Sequence, residues 1–398
     1  MITKFFYYLY HKFLKFFLPL IRIPFPRLIK GEGSILQIKY ILKPNYFHPL
    51  IICSPSIIKN HLLDSLLEDF KINNIDYSIY SNVKPNPTTS LVYEGRDFFI
   101  DNKCDSIISV GGGSAIDLAK IIGLLITNSK ENILDYKGLL KVKKKPVFHI
   151  AIPTTIGSGS EASVAAVITD EKNNDKFAIN DPKLVPAVAL LDSNLLANLP
   201  KDIIATTGMD ALTHAIESLI GRVSNKFITK TSLKSIKLIY NNLLTFYQSG
   251  DIESCTNMQL ASYYAGVSFT RGFVGYVHAL SHSLSGEFDI PHGYANAILL
   301  PVVLEYYRKS IYNKLSLVSD CLNLTEKDAS KKDKTNAVIT WIKKLNQAMG
   351  IPKKFSLSIT ENEIEKLVSH SLLEANPFYP VPRVLSSEDL GNIYHLVL

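Results

Sequence analysis

The chain reads as an N-terminal α/β domain with a Rossmann-like parallel sheet followed by an all-α domain, and three observations predict this. Between residues 25 and 199, short apolar runs ending in turn residues alternate with helical segments, as parallel strands joined by crossover helices require. Beyond Pro200 that alternation stops, and apolar residues recur at helical spacing in segment after segment. The run Asn198-Leu199-Pro200 marks the break between the two textures. The expected units are therefore 1–24, 25–199 and 200–398.

Composition sets the outer limits. With 398 residues, the chain is long enough for two domains with substantial cores. A hydrophobic content of 46% with 20% charged residues fits a folded protein without a disordered tract. The net charge of +7 is partly local: the first thirty residues hold six Lys or Arg and no acid, and Lys141-Val142-Lys143-Lys144-Lys145 adds four more. Elsewhere the signs mix and no nucleic-acid motif occurs, so no nucleic acid is expected as partner. Cys53, Cys104, Cys255 and Cys321 form no Cys-x-x-Cys pair, which reads as free thiols in a reducing compartment. A cytoplasmic location is the expectation.

Residues 1–24 form a basic, aromatic, amphipathic extension. Ile2, Phe5, Phe6, Leu9, Phe13, Phe16, Phe17 and Leu20 recur at helical spacing, with Lys4, His11, Lys12 and Lys15 mostly on another face. No apolar run is long enough to span a bilayer, and the lysines interrupt any signal-peptide core. Such a helix can lie weakly in a membrane surface, or pack on its own domain or a second subunit. Protein contact is the commoner use of a large apolar face.

Within 25–199, Pro26 to Ile35 reads as a strand, a glycine turn and a helix start at Ser34. Leu50-Ile51-Ile52-Cys53-Ser54 suits a buried parallel strand, followed by a helix over about 56–71 and a strand at 76–80. Val83-Lys84-Pro85-Asn86-Pro87-Thr88 is a proline-locked loop before the next helix. Ser106 to Val110 then runs into Gly111-Gly112-Gly113-Ser114 and a helix over Ala115–Ile126. A strand, a glycine loop and a helix N-terminus make a natural phosphate cradle, with outward N–H groups and a favourable helix dipole. By itself a triple-glycine turn serves a tight strand-to-helix corner equally well, and it is not the G-x-G-x-x-G fingerprint. Phe148 to Thr155 is another buried strand ending in hydroxyls, followed by Gly157-Ser158-Gly159-Ser160-Glu161. Those hydroxyls can bind ribose or phosphate, or merely cap the next helix. Val188-Ala189-Leu190-Leu191-Asp192 is the last strand of this half.

In the second half, helical periodicity covers roughly 201–221, 226–248, 253–269, 273–287, 295–308 and 310–322, with a final helix near 386–397. This half carries four metal-ligand candidates. Asp210 and His214 are four apart and share a helix face. His278 and His292 would complete a site of one carboxylate and three imidazoles, a donor set that suits Fe(II) or Zn. Any one of them alone reads as an ordinary core or surface group. Three of the chain's ten histidines within 278–292 raise the set above that level.

Two stretches carry a family resemblance. The run Gly272-Phe273-Val274-Gly275-Tyr276-Val277-His278-Ala279-Leu280-Ser281-His282, with Pro291-His292-Gly293-Tyr294-Ala295-Asn296-Ala297-Ile298-Leu299-Leu300-Pro301, resembles the iron-containing (group III) alcohol dehydrogenases. Gly208-Met209-Asp210-Ala211-Leu212-Thr213-His214-Ala215-Ile216-Glu217 resembles that family's other signature, and the ligand order Asp, His, His, His agrees. The resemblance runs from about residue 25 to the C-terminus. It implies the dehydroquinate synthase-like fold of that family, with 25–199 binding a dinucleotide and 200–398 holding the metal.

The resemblance also implies roles. Gly111, Gly112, Gly113 and Ser114 match the diphosphate loop, Asp117 a position beside the cofactor, and Thr154, Thr155 and Ser158 the cofactor-contacting stretch. Asn86 in the proline loop and Lys176, placed as the family's cofactor-proximal lysine, complete the NAD or NADP contacts. Where many members carry an acid that binds the ribose 2′-hydroxyl, this chain has Ser54, so NADPH is expected to be tolerated or preferred. Iron(II) or zinc at Asp210, His214, His278 and His292 would act as a Lewis acid on the oxygen of a small alcohol or aldehyde while hydride moves to or from nicotinamide in a cleft between the domains. His282 matches a histidine proposed for proton transfer, and is the catalytic candidate; a purely structural role is the alternative. Glu217 is expected to pack or to support a ligand. Phe269, Phe273 and Tyr276 could line a pocket mouth or belong to helix core, and Arg271 could attract an anionic substrate group or pair with an acid. A homo-oligomer, at least a dimer, is expected. The alternatives are a polyol dehydrogenase, a sugar-phosphate lyase of the same fold, or an inactive membrane-surface or interaction protein.

Overall fold

The computed structural model describes residues 2–128, 132–173 and 175–398. It divides into two compact units, Arg22–Leu199 and a helical unit made of Met1–Ile21 with Pro200–Leu398.

The strands of the first unit are β1 (Arg27–Lys30), β2 (Pro49–Cys53), β3 (Ser78–Tyr80), β4 (Ser106–Gly111), β5 (Gly138–Leu139), β6 (Phe148–Pro153), β7 (Ala165–Asp170), β8 (Asp175–Asn180) and β9 (Val188–Leu191). Six of them form a parallel sheet in the order β1-β9-β6-β4-β2-β3. Every residue of β2, β4 and β9 is buried, which is why these strands read as unbroken apolar or small runs rather than as alternation. The helix Gly113–Thr127 packs on β4 and β6 through a face of Ile, Leu and Ala side chains that lose all exposure. Burial of each such Leu or Ile contributes roughly 1.5–3 kcal/mol before chain entropy is charged against it.

Two features of this unit depart from the sequence reading, as do the helices Lys331–Ala348 and Glu361–Ala375 of the other, for which no segment was predicted. The helix expected over 56–71 is two helices, Pro55–Lys59 and Asp64–Ile72. Between them His61 turns left-handed at φ 59°, while the His61 and Leu62 amides bond back to Ile58 and Ile57 carbonyls. That pair of bonds is a Schellman stop, which a window of helical periodicity does not reveal. A second sheet, β5-β8-β7, occupies a stretch for which no strand was predicted. Ala165-Ala166-Val167-Ile168 shows no clear alternation in sequence, and its strand state comes from antiparallel pairing with β8, a contact outside any local window.

The second unit is built around the helix Lys201–Ile220, against which Lys226–Ser249, Ile252–Gly272 and His292–Tyr307 pack. From Gly208 to Ile220 every residue of the central helix is buried, so polar groups on it need partners inside the protein. Tyr276–Phe288 carries the second signature, and Lys331–Ala348, Glu361–Ala375 and Ser387–Val397 complete the unit. Capping boxes at Thr360 with Glu363 and at Ser386 with Asp389 start the last two helices.

The helix Ile2–Phe17 docks on this unit by one face. His11 is 1% exposed and its Nε2–H donates to the Pro377 carbonyl at 3.0 Å. The Val384 amide donates to the Tyr8 hydroxyl at 3.2 Å, and the Arg222 guanidinium lies 4.4 Å from the Tyr8 ring centre.

Candidate functional site

In the helical unit, side chains from three helices converge. Asp210 and His214 lie one turn apart on the central helix, His278 and His282 one turn apart on Tyr276–Phe288, and His292 opens the helix His292–Tyr307. Ligand atoms of Asp210, His214 and His278 all lie within 4.8 Å of one another. His292 Nε2 is 3.5 Å from Asp210 Oδ1, and the His292 ring centre is 5.2 Å from that of His278. Close approach of two helices makes this arrangement: a Cβ on Gly293 would sit 2.4 Å from the Thr206 carbonyl oxygen, so only glycine lets the helix beginning at His292 meet the central one.

Neighbouring groups set the imidazole orientations. His278 Nδ1–H donates to Glu217 Oε2 at 2.6 Å, and the same carboxylate accepts the Gly275 and Val277 amides at 2.8 Å each. His292 Nδ1 faces the Ser281 hydroxyl at 3.1 Å. Both rings thus turn Nε2 toward Asp210 Oδ1, and Asn296 Nδ2 donates to Asp210 Oδ1 at 2.8 Å while lying 3.0 Å from His292 Nε2 and 3.4 Å from His278 Nε2. The three acceptor atoms thus surround the Asn296 amide nitrogen, within reach of one another. His214 is held flat against Phe269, ring centres 4.4 Å apart.

Electrostatics favours a cation there. Asp210 and Glu217 are both buried, and among the described residues their ion-pair partners are histidines rather than lysine or arginine. Burial pushes the Glu217 carboxyl up to about 7. Burial, reinforced by the neighbouring imidazoles, holds His278 well below the ordinary histidine range, hence neutral and able to ligate. A carboxylate and neutral imidazoles, without thiolate, fit a divalent ion of borderline hardness. His292 and His282 keep 34% and 36% of their side chains exposed, so the cluster is open on that side.

His282 stacks on His292 with ring centres 4.8 Å apart, and its Nδ1–H donates to Glu374 Oε1 at 2.6 Å. The Tyr379 hydroxyl donates to the same oxygen at 2.6 Å. Glu374, Tyr379, Asn296 and Ser281 were not found in the sequence reading. Asn296 carried a local signal, being one helical turn beyond His292. Glu374 and Tyr379 carried none, since about ninety residues separate them from His282. Tyr276, a possible pocket residue by sequence, is fully buried and donates to Asn376 Oδ1 at 3.0 Å. It belongs to the core. Arg271 lies over the Phe227 ring at 5.6 Å and donates to the Val267 carbonyl at 3.1 Å.

In the α/β unit, the chain runs from β2 outward to β3, then returns to β4 and continues outward through β6 and β9. The reversal lies between β2 and β4, where a crevice at the carboxyl ends of the strands is the usual ligand position of such sheets. Ser54 follows β2 and Gly111 ends β4, with Gly112 capping the helix Gly113–Thr127 without any side-chain bond to its first amides. Ser114 lies in its first turn. Thr154 and Thr155 follow β6 next door. The loops nearly touch: a Cβ on Gly113 would lie 3.0 Å from Ser158 Cβ, and one on Gly112 would lie 3.3 Å from Thr155 Cγ2. Glycine at both positions lets the hydroxyl-bearing loop after β6 pack directly against the start of the helix Gly113–Thr127.

The remaining predicted contacts are placed differently. Asp117 Oδ2 accepts the Val167 amide at 3.0 Å and Oδ1 is 3.8 Å from buried Lys120, so this carboxylate ties its helix to β7. Ser54 Oγ bonds Ser56 Oγ at 2.8 Å. Asn86 turns left-handed at φ 51°, and the following Pro87 carbonyl accepts the Thr169 amide at 2.9 Å. Lys176 pairs in register with that same Thr169, which brings the proline loop and Lys176 to opposite sides of β7.

A two-domain protein with a glycine-walled strand-to-helix crevice and a buried carboxylate–imidazole cluster belongs to the class of metal-dependent dehydrogenases of this fold. Residues 26–193 match the profile of Iron-containing alcohol dehydrogenase, and 204–398 match Fe-containing alcohol dehydrogenase family, C-terminal. The chain is 35% identical to Alcohol dehydrogenase 4 of Saccharomyces cerevisiae, over 87% of this chain and 90% of that protein. It is 31% identical to the NAD-dependent methanol dehydrogenase of Bacillus methanolicus and 30% to the NADPH-dependent butanol dehydrogenase of Clostridium saccharobutylicum, each over 95% of this chain and 98% of the relative. The solved alcohol dehydrogenase from Oenococcus oeni superposes with a TM-score of 0.90 at 30% identity, covering 95% of this chain and all of that one, 100%. The chain belongs to the iron-containing alcohol dehydrogenase family.

Proposed function

We propose that the chain catalyses reversible hydride transfer between NAD(P)(H) and a small alcohol or aldehyde, with Asp210, His214, His278 and His292 holding a divalent ion. The observation that carries this reading is the clustering of Asp210, His214 and His278 ligand atoms within 4.8 Å of one another, with His292 Nε2 3.5 Å from Asp210 Oδ1. When bound, the ion supplies Lewis acidity to the substrate oxygen and the dinucleotide supplies the hydride acceptor or donor. Family membership favours this reaction over the lyase and polyol alternatives, and the intact ligand set argues against an inactive chain.

The protein's own groups do the rest. Glu217 orients His278 and keeps its Nε2 available. His282, its Nδ1–H committed to Glu374, presents Nε2 as the atom through which a proton is taken from or returned to the substrate oxygen. The first amides of the helix Gly113–Thr127 bind the diphosphate, with Gly111, Gly112, Ser114, Thr154, Thr155 and Ser158 around it; Asn86 and Lys176 contribute from opposite sides of β7, the strand that Asp117 ties to this helix. Ser54 offers a hydroxyl where a carboxylate would repel a 2′-phosphate, so NADPH is used at least as well as NADH. Iron(II) is the family's metal by name, and zinc shares the donor set. On this reading 25–199 is the nucleotide domain and 200–398 the metal domain of a cytoplasmic homo-oligomer.

The test is anaerobic reconstitution with Fe(II) or Zn, followed by a screen of short alcohols and aldehydes with NAD(H) and NADP(H). Metal-dependent turnover abolished by His278→Ala supports the proposal. Stoichiometric metal and nucleotide binding without turnover on any pairing would overturn the assignment of substrate class.

A further inference from the structure

The helix Ile2–Phe17 has two apolar faces, and the fold uses one. Tyr8, His11 and their neighbours are taken up by the helical unit. On the other side Phe5, Phe6, Leu9, Phe13, Phe16 and Phe17 remain 41–72% exposed, and Leu20 just beyond is also 72% exposed. At about 100° per residue, the six helical side chains fall within an arc of about 120° that points away from the docked face. Scattered exposed leucines are ordinary; a continuous stripe with five exposed phenylalanines among its six members is not. Phe378, half exposed and edge-on to Tyr10 at 6.3 Å, extends the patch at one border.

Charge identifies the occupant. Lys4, Lys12 and Lys15 are exposed; at about 100° per residue Lys12 borders the stripe, and Lys4 and Lys15 lie further round, on the flank of the docked face. No acidic residue occurs before Glu32. A second copy meeting this face with its own would bring the same lysines and no acid from the helix to answer them. A sheet of anionic phospholipid answers both features, taking the phenylalanines into the acyl boundary and the lysines at the phosphates. None of the described helices is long and apolar enough to cross a membrane, and a 16-residue helix reaches only about 24 Å. A membrane contact made by this helix would therefore be at the bilayer surface. We propose that this helix is a peripheral anchor that binds the protein to anionic phospholipid membranes while its opposite face stays docked on the helical unit.

Vesicle co-sedimentation of the full chain tests this, using phosphatidylcholine with and without phosphatidylglycerol. Binding is expected with the anionic vesicles, weakening as salt rises and falling at least about ten-fold in Phe13→Ser/Phe16→Ser and in Lys12→Glu/Lys15→Glu. Circular dichroism of both variants should match the parent, since all four side chains are exposed. Should a variant misfold, the preference of the parent chain for anionic over neutral vesicles and its salt dependence still decide. Protein left in the supernatant with both vesicle types overturns the proposal. So does self-association that Phe13→Ser/Phe16→Ser abolishes in a chain that ignores vesicles, which would assign the face to a second copy.

Discussion

His278 Nδ1 and Glu217 Oε2 are 2.6 Å apart inside the helical unit, and this bond decides which nitrogen of His278 faces Asp210. Glu217 belongs to the central helix and His278 to the helix Tyr276–Phe288, so one contact fixes both a tautomer and the docking of two helices. Glu217→Gln keeps the shape but weakens the acceptor. Metal affinity is expected to fall about 10- to 100-fold, read by competition with a chelator. Unchanged affinity would reduce Glu217 to a packing group.

At Gly113 the expected effect is on nucleotide alone. In Gly113→Ala the new methyl meets Ser158 at 3.0 Å and narrows the space over the helix N-terminus. The KM for the dinucleotide should rise roughly ten-fold with little change in metal binding. Ser158→Gly in the same chain should recover part of the loss, because it removes the atoms that the methyl meets. Failure of the second change to help would place the diphosphate elsewhere.

Ser54→Asp should turn the nucleotide preference toward NADH. An introduced carboxylate can accept from the ribose 2′-hydroxyl and repels a 2′-phosphate. The ratio of kcat/KM for NADPH over NADH is expected to drop by at least about ten-fold. An unaltered ratio would mean that Ser54 does not face the ribose.

Acid should loosen the helix Ile2–Phe17. Burial, aided by Arg222, lowers His11 to about 4 against an ordinary value of 6.5. The docked state therefore binds fewer protons than the undocked one between these values. Docking strength is full above 6.5 and is lost as pH falls toward 4, by on the order of 3 kcal/mol in total. Hydrogen–deuterium exchange over residues 4–17, corrected for intrinsic rate, should show greater opening at pH 5 than at pH 7. Equal protection at both would separate His11 from the docking.

How much of this could be read before folding depends on how local each cause is. Helical periodicity in 201–322 is a property of neighbours three and four apart, so the helical half and the shared face of Asp210 and His214 were legible. Buried parallel strands write themselves as apolar runs, so β2, β4, β6 and β9 were legible too. The pairing of β7 with β8 and the stop at His61 were not, because one depends on a partner strand and the other on a backbone turn available to many sequences.

The sequence by itself determined the two-domain class, the glycine corner after β4 and the pairing of Asp210 with His214 on one helix face, since each is carried by residue types in a local pattern. Tertiary structure alone decided which nitrogen each imidazole presents, that Asn296 stands among Asp210, His278 and His292, and that Glu374 and Tyr379 hold His282. It also decided which face of the helix Ile2–Phe17 is covered and which is bare. Those outcomes depend on hydrogen bonds and contacts between segments far apart in the chain, whose geometry exists only once the helices have packed.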